Sequence, residues 1–246
     1  MDRSMAVKEN AVEVLEKQLA LRARKNQHGI IVVSSATEPY SQFEGEIHLT
    51  RKILELILHH RFPVHIITRS NLVTRDFDIL SEINKQAILP LDLEGRLPAK
   101  ALITFSFSTL DDTIARIFEP GATSPSVRLQ ALKSAIEAGF HSGVSLMPLL
   151  PLITDSAGDL DRFYSTFSAI GVKYIFPASI TLFGDTPATS KVLTMRAVEK
   201  YYPELIDEWR KLFSYGFQIN SSYAKTLKDR ISVVQRKYNI PGRILT

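Results

Sequence analysis

None of the 246 residues is cysteine. The chain can form no disulfide, hold no zinc with thiolates and use no thiol nucleophile. Long apolar runs are also missing, and none approaches the ~18 residues of a membrane-spanning helix. Residues Met1 to Asn10 lead into a charged amphipathic helix with no apolar secretory core, so a cytoplasmic location and no membrane partner are expected. No glycine-rich loop follows a strand-like run, which excludes a dinucleotide fingerprint and a P-loop, and there is no nucleophile elbow. Neither charge sign dominates: 30 basic and 26 acidic residues leave a net +4, too evenly spread to define a nucleic-acid groove by itself. The histidines, His28, His48, His59, His60, His65 and His141, show no zinc spacing with a nearby carboxylate, so no metal site is expected.

What is present is an alternation of strand-like and helical segments, with 45% hydrophobic residues to supply a core. Val7 to Lys25 carries Val12, Val14, Leu15, Leu19 and Leu21 near helical spacing. Gly29 to Ser35 is a continuous β-branched run of the kind buried in parallel sheets. A helix is expected from Ile47 to His59, ended by Phe62-Pro63, then a strand at Val64 to Thr68 and a helix from Arg75 to Asn84. Gln86 to Pro98 reads as a loop. Ala101 to Ser108 reads as a third strand, followed by helices Leu110 to Phe118 and Ser124 to Ala138, with Gly139 placed to end the second. A fourth strand starts at Gly143, a helix spans Leu160 to Ile170, and a fifth strand begins at Val172. Beyond Phe183 the pattern is helical: Thr189 to Tyr202, Glu204 to Phe213 and Ser222 to Tyr238. The fold class is α/β, a parallel βα array that is either a barrel or a doubly wound sheet.

In such folds chemistry sits at the carboxyl ends of the strands. Those ends read Ser34 to Tyr40, Thr68-Arg69-Ser70, Ser106 to Thr109 and Met147 to Pro151. Any one of these hydroxyl groups serves equally well as a helix cap or turn former, but together they describe a polar pocket. Glu38 offers a carboxylate and Arg69 a guanidinium, a combination suited to a zwitterion such as an amino acid or an amino-acid-bearing cofactor.

Several long segments, VKENAVEVL, SSATEPYSQFEGEIHLTRKILE, FPVHIITRSNLVTRDFDIL, ALITFSFSTLDDTIARIFEPGATSPSVRLQAL and MPLLPLITD, resemble the spore photoproduct lyase-like group of the radical S-adenosylmethionine (SAM) superfamily. The tail, with LFGD, YYPELIDEW and RKYNIPGR, is similar to one subgroup of these proteins. The resemblance implies a partial (β/α)6 barrel over residues 1–183, lacking its first strand, and a helical extension over 184–246. It implies SAM as cofactor. The loop Ser35 to Glu38, with Thr37, would receive the methionine amino group. Arg69 would stand where relatives carry lysine, Ser106 and Ser108 would meet ribose or carboxylate, and Met147 would line the adenine pocket. Glu119 and Arg128 are implied as a structural pair beneath the site.

The resemblance also implies a 4Fe–4S cluster bound by a CxxxCxxC loop, and this sequence has no such loop. Reductive cleavage of SAM to a 5′-deoxyadenosyl radical, for hydrogen abstraction from an unidentified substrate, is therefore expected only if a missing N-terminal cysteine segment is restored. The chain alone is expected to be inactive. Thymine-dimer repair is disfavoured, because the family's hydrogen-donating cysteine falls in the loop that here reads Ser34-Ser35-Ala36-Thr37. Two other readings stand beside this one. The first is a non-catalytic SAM- or nucleotide-binding remnant or protein-interaction module. The second is nucleic-acid recognition through Lys225, Lys228, Arg230, Arg236 and Lys237, whose helical spacing does not form one stripe. An exposed GIIVVSS edge would favour a dimer.

Overall fold

The computed structural model describes residues 10–33 and 37–245. Among them are five strands: β1 Ile31–Val33, β2 Val64–Thr68, β3 Ala101–Ser106, β4 His141–Leu149 and β5 Ile175–Ser179. They form one parallel sheet in sequence order, β1-β2-β3-β4-β5. That unbroken order is the one successive βα units give a barrel; a doubly wound sheet reverses direction partway. The described helices are α1 Ala11–Arg24, α2 Glu44–Ile47, α3 Leu49–His59, α4 Phe77–Gln86, α5 Asp112–Phe118, α6 Pro125–Glu137, α7 Ala157–Ile170, α8 Ser190–Tyr201, α9 Ile206–Leu212 and α10 Ser221–Tyr238. The chain divides into two compact units, one of residues 2–106 with 127–143, the other of residues 107–126 with 144–243.

In the first unit the register sets Val64 opposite Ala101 and Thr68 opposite Phe105. Side chains alternate along a strand, so Val64 and Ile66 share a face with Ala101, Ile103 and Phe105, and all five are fully buried. Leu54 and Ile57 of α3, one helical turn apart, are equally buried, as are Leu80 and Ile83 of α4. The opposite face carries His65 and Ile67 from β2 and Leu102, Thr104 and Ser106 from β3.

The helix expected over 47–59 starts at Leu49, and a short helix before it ends at Ile47; the two meet at His48, which takes a left-handed φ of 53°. The kink brings the buried carboxylate of Glu44 to the start of α3, where Oε1 accepts the Thr50 N–H at 2.9 Å. An anion at a helix N-terminus satisfies an orphan donor and opposes the helix dipole. Other boundaries follow from caps as well. Asp111 accepts from the N–H groups of Thr113 and Ile114 and starts α5 at Asp112. Ser156 accepts from the Asp159 N–H and starts α7 at Ala157, three residues before the apolar spacing shows a helix. Gly171, with φ 89°, closes α7 by donating to Phe167 and Ser168.

In the second unit β5 lies later than its apolar run suggests, over 175–179 rather than from Val172. The N–H of Val144 donates to the Tyr174 carbonyl and that of Ile180 to the Leu149 carbonyl, so even-numbered residues of β5 bond to β4 and odd-numbered ones face away. Pro177, which has no N–H, sits at an outward position where β4 needs no donor. Phe107 packs on Phe167 with ring centroids 5.2 Å apart. A second cluster gathers Leu150, Leu182, Val198, Leu212 and Phe213 around the fully buried Trp209, whose indole N–H donates to the Pro151 carbonyl at 3.0 Å. Asp155 anchors α10: its carboxylate accepts the Tyr223 hydroxyl at 2.7 Å and its carbonyl accepts from the Arg230 guanidinium at 2.6 Å.

Candidate functional site

The carboxylate of Glu38 ties the loop after β1 to the end of β2. Its Oε1 accepts the Tyr40 N–H at 3.1 Å and the Thr68 hydroxyl, and its Oε2 accepts the Arg69 N–H at 2.7 Å. The Thr68 oxygen in turn accepts the Ser70 N–H at 2.9 Å. A carboxylate has about four acceptor positions. Among the described residues three are taken, which leaves one on Oε2 of a half-buried side chain. Glu38 is thus both a bracket holding two strand ends and an anion with capacity to spare.

Behind this bracket lies a network of ions. Arg75 reaches Oε1 of Glu44 at 3.0 Å and forks onto both oxygens of Asp76, each at 3.0 Å. Arg51 reaches Asp76 at 3.0 Å and Asp78 at 2.7 Å. Glu44 and Asp76 are buried, a placement that requires paired partners because a lone buried charge is costly. Hydrogen bonds to Asp76 and Glu44 push the Arg75 guanidinium above its usual range. The bond from Arg51 holds the exposed Asp78 down at about 2. The Thr50 hydroxyl donates to the Pro39 carbonyl. Thr-Glu-Pro-Tyr at 37–40, Glu44, Leu-Thr-Arg at 49–51 and Thr-Arg-Asp at 74–76 therefore belong to one structural lock.

Of the residues singled out in the sequence, Ser35 lies outside the described residues. Thr37 is exposed, while Glu38 and Arg69 are half-buried at adjoining strand ends of the first unit. Ser106 closes β3. Its carbonyl accepts from the buried Arg128 guanidinium at 2.5 Å, while its hydroxyl has no protein partner among the described residues. In the second unit, Ser108 is buried and donates to Glu119; its proton is committed within the protein. Met147 is a half-buried residue of β4, joined to Pro148 by a cis peptide bond.

Sequence reasoning missed the pairing of His65 with Thr104. The imidazole Nε2 lies 2.6 Å from the Thr104 hydroxyl, on the same sheet face as Ser106. Burial alone lowers its pKa from 6.5 to about 4, so the ring is neutral at physiological pH. The alternation along β2 and β3 was the available signal, but it required the register between the strands.

The fold is similar to the radical SAM fold in the form found in spore photoproduct lyase. Variants of that enzyme superpose with TM-scores of 0.60 and 0.61 at 18% and 17% identity, over 94% of this chain and 65% of theirs. One of them was solved with bound AdoMet and a dinucleoside spore photoproduct. In sequence, an uncharacterized protein of Mycobacterium tuberculosis is 26% identical over 241 residues, which is 98% of this chain and 66% of the relative. An uncharacterized protein of Acidianus two-tailed virus is 34% identical over 151 residues, 60% of this chain and 44% of its own. The chain thus spans somewhat less than two thirds of the relatives it matches. No family model matches it.

The two groups implied by this fold differ in fit. A SAM zwitterion suits a carboxylate with a spare acceptor, a nearby guanidinium and an unengaged hydroxyl. An iron–sulfur cluster is held by thiolates, and this chain contains none. Among the described residues no group of three or more His, Asp or Glu side chains gathers to hold a metal ion either. The residues present do not fit a cluster.

Proposed function

We propose that this chain is the SAM-binding barrel of a radical SAM protein of the spore photoproduct lyase-like group. The observation that carries the reading is the Glu38 bracket. A glutamate fixed by three donors from two strand ends, with one acceptor position left, is preorganised for an ammonium group. Glu38 would hold the methionine ammonium of SAM at that position, Arg69 would pair with its carboxylate, and the Ser106 hydroxyl would meet the ribose. Thr37 would add a hydroxyl beside the amino group.

The chain binds and orients SAM on this reading and does not cleave it. Generating a 5′-deoxyadenosyl radical belongs to a protein in which cysteines from outside these 246 residues complete the site. SAM binding without cleavage is thus the behaviour expected of the chain by itself, and the substrate of the complete protein is set elsewhere.

Isothermal titration of SAM into the protein and into Glu38→Gln tests the assignment. SAM should bind, and the neutral amide should weaken it by about ten-fold or more, the scale of a charge-assisted hydrogen bond. Thermal melts of both proteins show whether the fold survives the change. Absence of SAM binding, or equal affinity in a folded Glu38→Gln protein, would overturn it.

A further inference from the structure

A cavity of about 430 Å³ opens in the second unit, along the outer edge of β5 and beneath α10. It is lined from β5 and the segment after it by residues 177–181, from the approach to α10 by Gln218 and Ile219, and from α10 by Ala224, Leu227, Lys228 and Ile231. The α10 positions, spaced by three and four, are one stripe of the helix. Most of the lining is aliphatic, and volumes of ~300–1,000 Å³ are typical of small-molecule sites.

Polar features of the cavity point to the kind of ligand. Ser179 lines the cavity, and its hydroxyl is buried with no hydrogen-bond partner among the described residues. Among the described residues the N–H of Thr181, beyond β5, makes no backbone hydrogen bond, whereas lower down Ile175 donates to the Pro241 carbonyl at 3.0 Å. The edge is therefore sealed by the chain at one end and left open at the cavity. Lys228 is the sole charged residue of the lining, and no carboxylate joins it. Among the described residues its ammonium makes no ion pair, unlike Arg230 and Lys237 on the same helix, which reach Asp155 and Asp161. A buried orphan donor costs free energy unless something accepts from it. An aliphatic cavity that holds one unpaired cation and a hydroxyl calls for an acceptor carrying negative charge and attached to an apolar body.

We propose that this cavity binds a small apolar monocarboxylate, its carboxylate between Lys228 Nζ and Ser179 Oγ and its hydrocarbon body against Ile180, Ile219, Leu227 and Ile231. The site is separate from the Glu38 bracket and does not depend on SAM binding.

Three probes with one skeleton, phenylbutyrate, phenylbutanol and phenylbutylammonium, decide the matter by NMR titration of the isotope-labelled protein. Phenylbutyrate should bind saturably, shift the amides of Ser179, Thr181 and Gln218, and bind about ten-fold or more tightly than the alcohol. The ammonium compound should not bind. Lys228→Met should erase the preference for acid over alcohol. Ser179→Ala should weaken phenylbutyrate several-fold while leaving the melting temperature unchanged or raised, because it removes an orphan hydroxyl; a hydroxyl used only in packing would not move the affinity. If Ser179→Ala fails to fold, the exposed Lys228→Met change still carries the test. Equal affinity for acid and alcohol, shifts confined to other residues, or no saturable binding would each overturn the proposal.

Discussion

Burial holds the His65 imidazole at a pKa of about 4, against 6.5 in the unfolded chain. Between those values the unfolded chain takes up a proton that the folded protein refuses, so stability falls as pH drops through this window. At pH 5 the loss relative to pH 7 amounts to about 2 kcal/mol from this residue. Asp78, held at about 2 by Arg51, acts in a separate and more acidic window, between 3.8 and 2, and its exposure makes its share small. Urea unfolding at pH 7 and pH 5 measures the His65 contribution directly. His65→Gln should keep a hydrogen bond to Thr104 and shrink the difference between the two pH values by about 2 kcal/mol. An unchanged difference would place the acid sensitivity elsewhere. The same scale shows why strand-end hydroxyls mislead a sequence reader. Thr68, Ser70 and Ser108 resemble Ser106 in type and position, yet they bond to Glu38, Leu72 and Glu119, while the Ser106 hydroxyl has no partner among the described residues. Only the packed structure separates a latch from a free donor.

Among the elements, α10 illustrates how a basic helix is spent. Arg230 and Lys237 are engaged with Asp155 and Asp161, leaving Lys225, Lys228 and Arg236 of the five basic residues weighed for nucleic acid. Three cations make a weak electrostatic footprint, since affinity follows the number of phosphates neutralised. Anisotropy titration with duplex DNA at ~0.15 M salt, where the screening length is about 8 Å, should show no tight binding. A salt-steep, sub-micromolar isotherm would revive the nucleic-acid reading. The anchor of this helix is testable too. Burial raises the Asp155 carboxyl above its ordinary range, and the Tyr223 hydroxyl, at 2.9 and 2.7 Å from its oxygens, works against that shift. Tyr223→Phe leaves the carboxylate short of a donor and should cost about 1–3 kcal/mol, with faster amide exchange concentrated in α10. Helix content was readable from spacing, but the break at His48 was not. It exists because Glu44 turns in to meet Thr50 and Arg75, partners that lie 6 and 31 residues further along the chain.

For the molecule as a whole, Trp209 marks how the C-terminal helices become part of a core and not an appendage. It is fully buried among residues from β4's exit, α8 and α9, and Trp209→Ala should lower unfolding free energy by about 3–5 kcal/mol, read from the urea midpoint. A loss under 1 kcal/mol would mean that this cluster is loosely packed. The sequence by itself determined the α/β class, the approximate places of the five strands, the absence of any cysteine ligand and Glu38 and Arg69 as residues of opposite charge at strand ends. Those properties are local: they depend on composition, on spacing along the chain and on residue chemistry. The tertiary structure alone decided that the strands run in unbroken order, that His65 meets Thr104, that Glu38 has three positions filled and one left, and that a cavity opens under Lys228. These properties depend on register and on contacts between residues far apart in sequence, which spacing along one strand or helix does not encode.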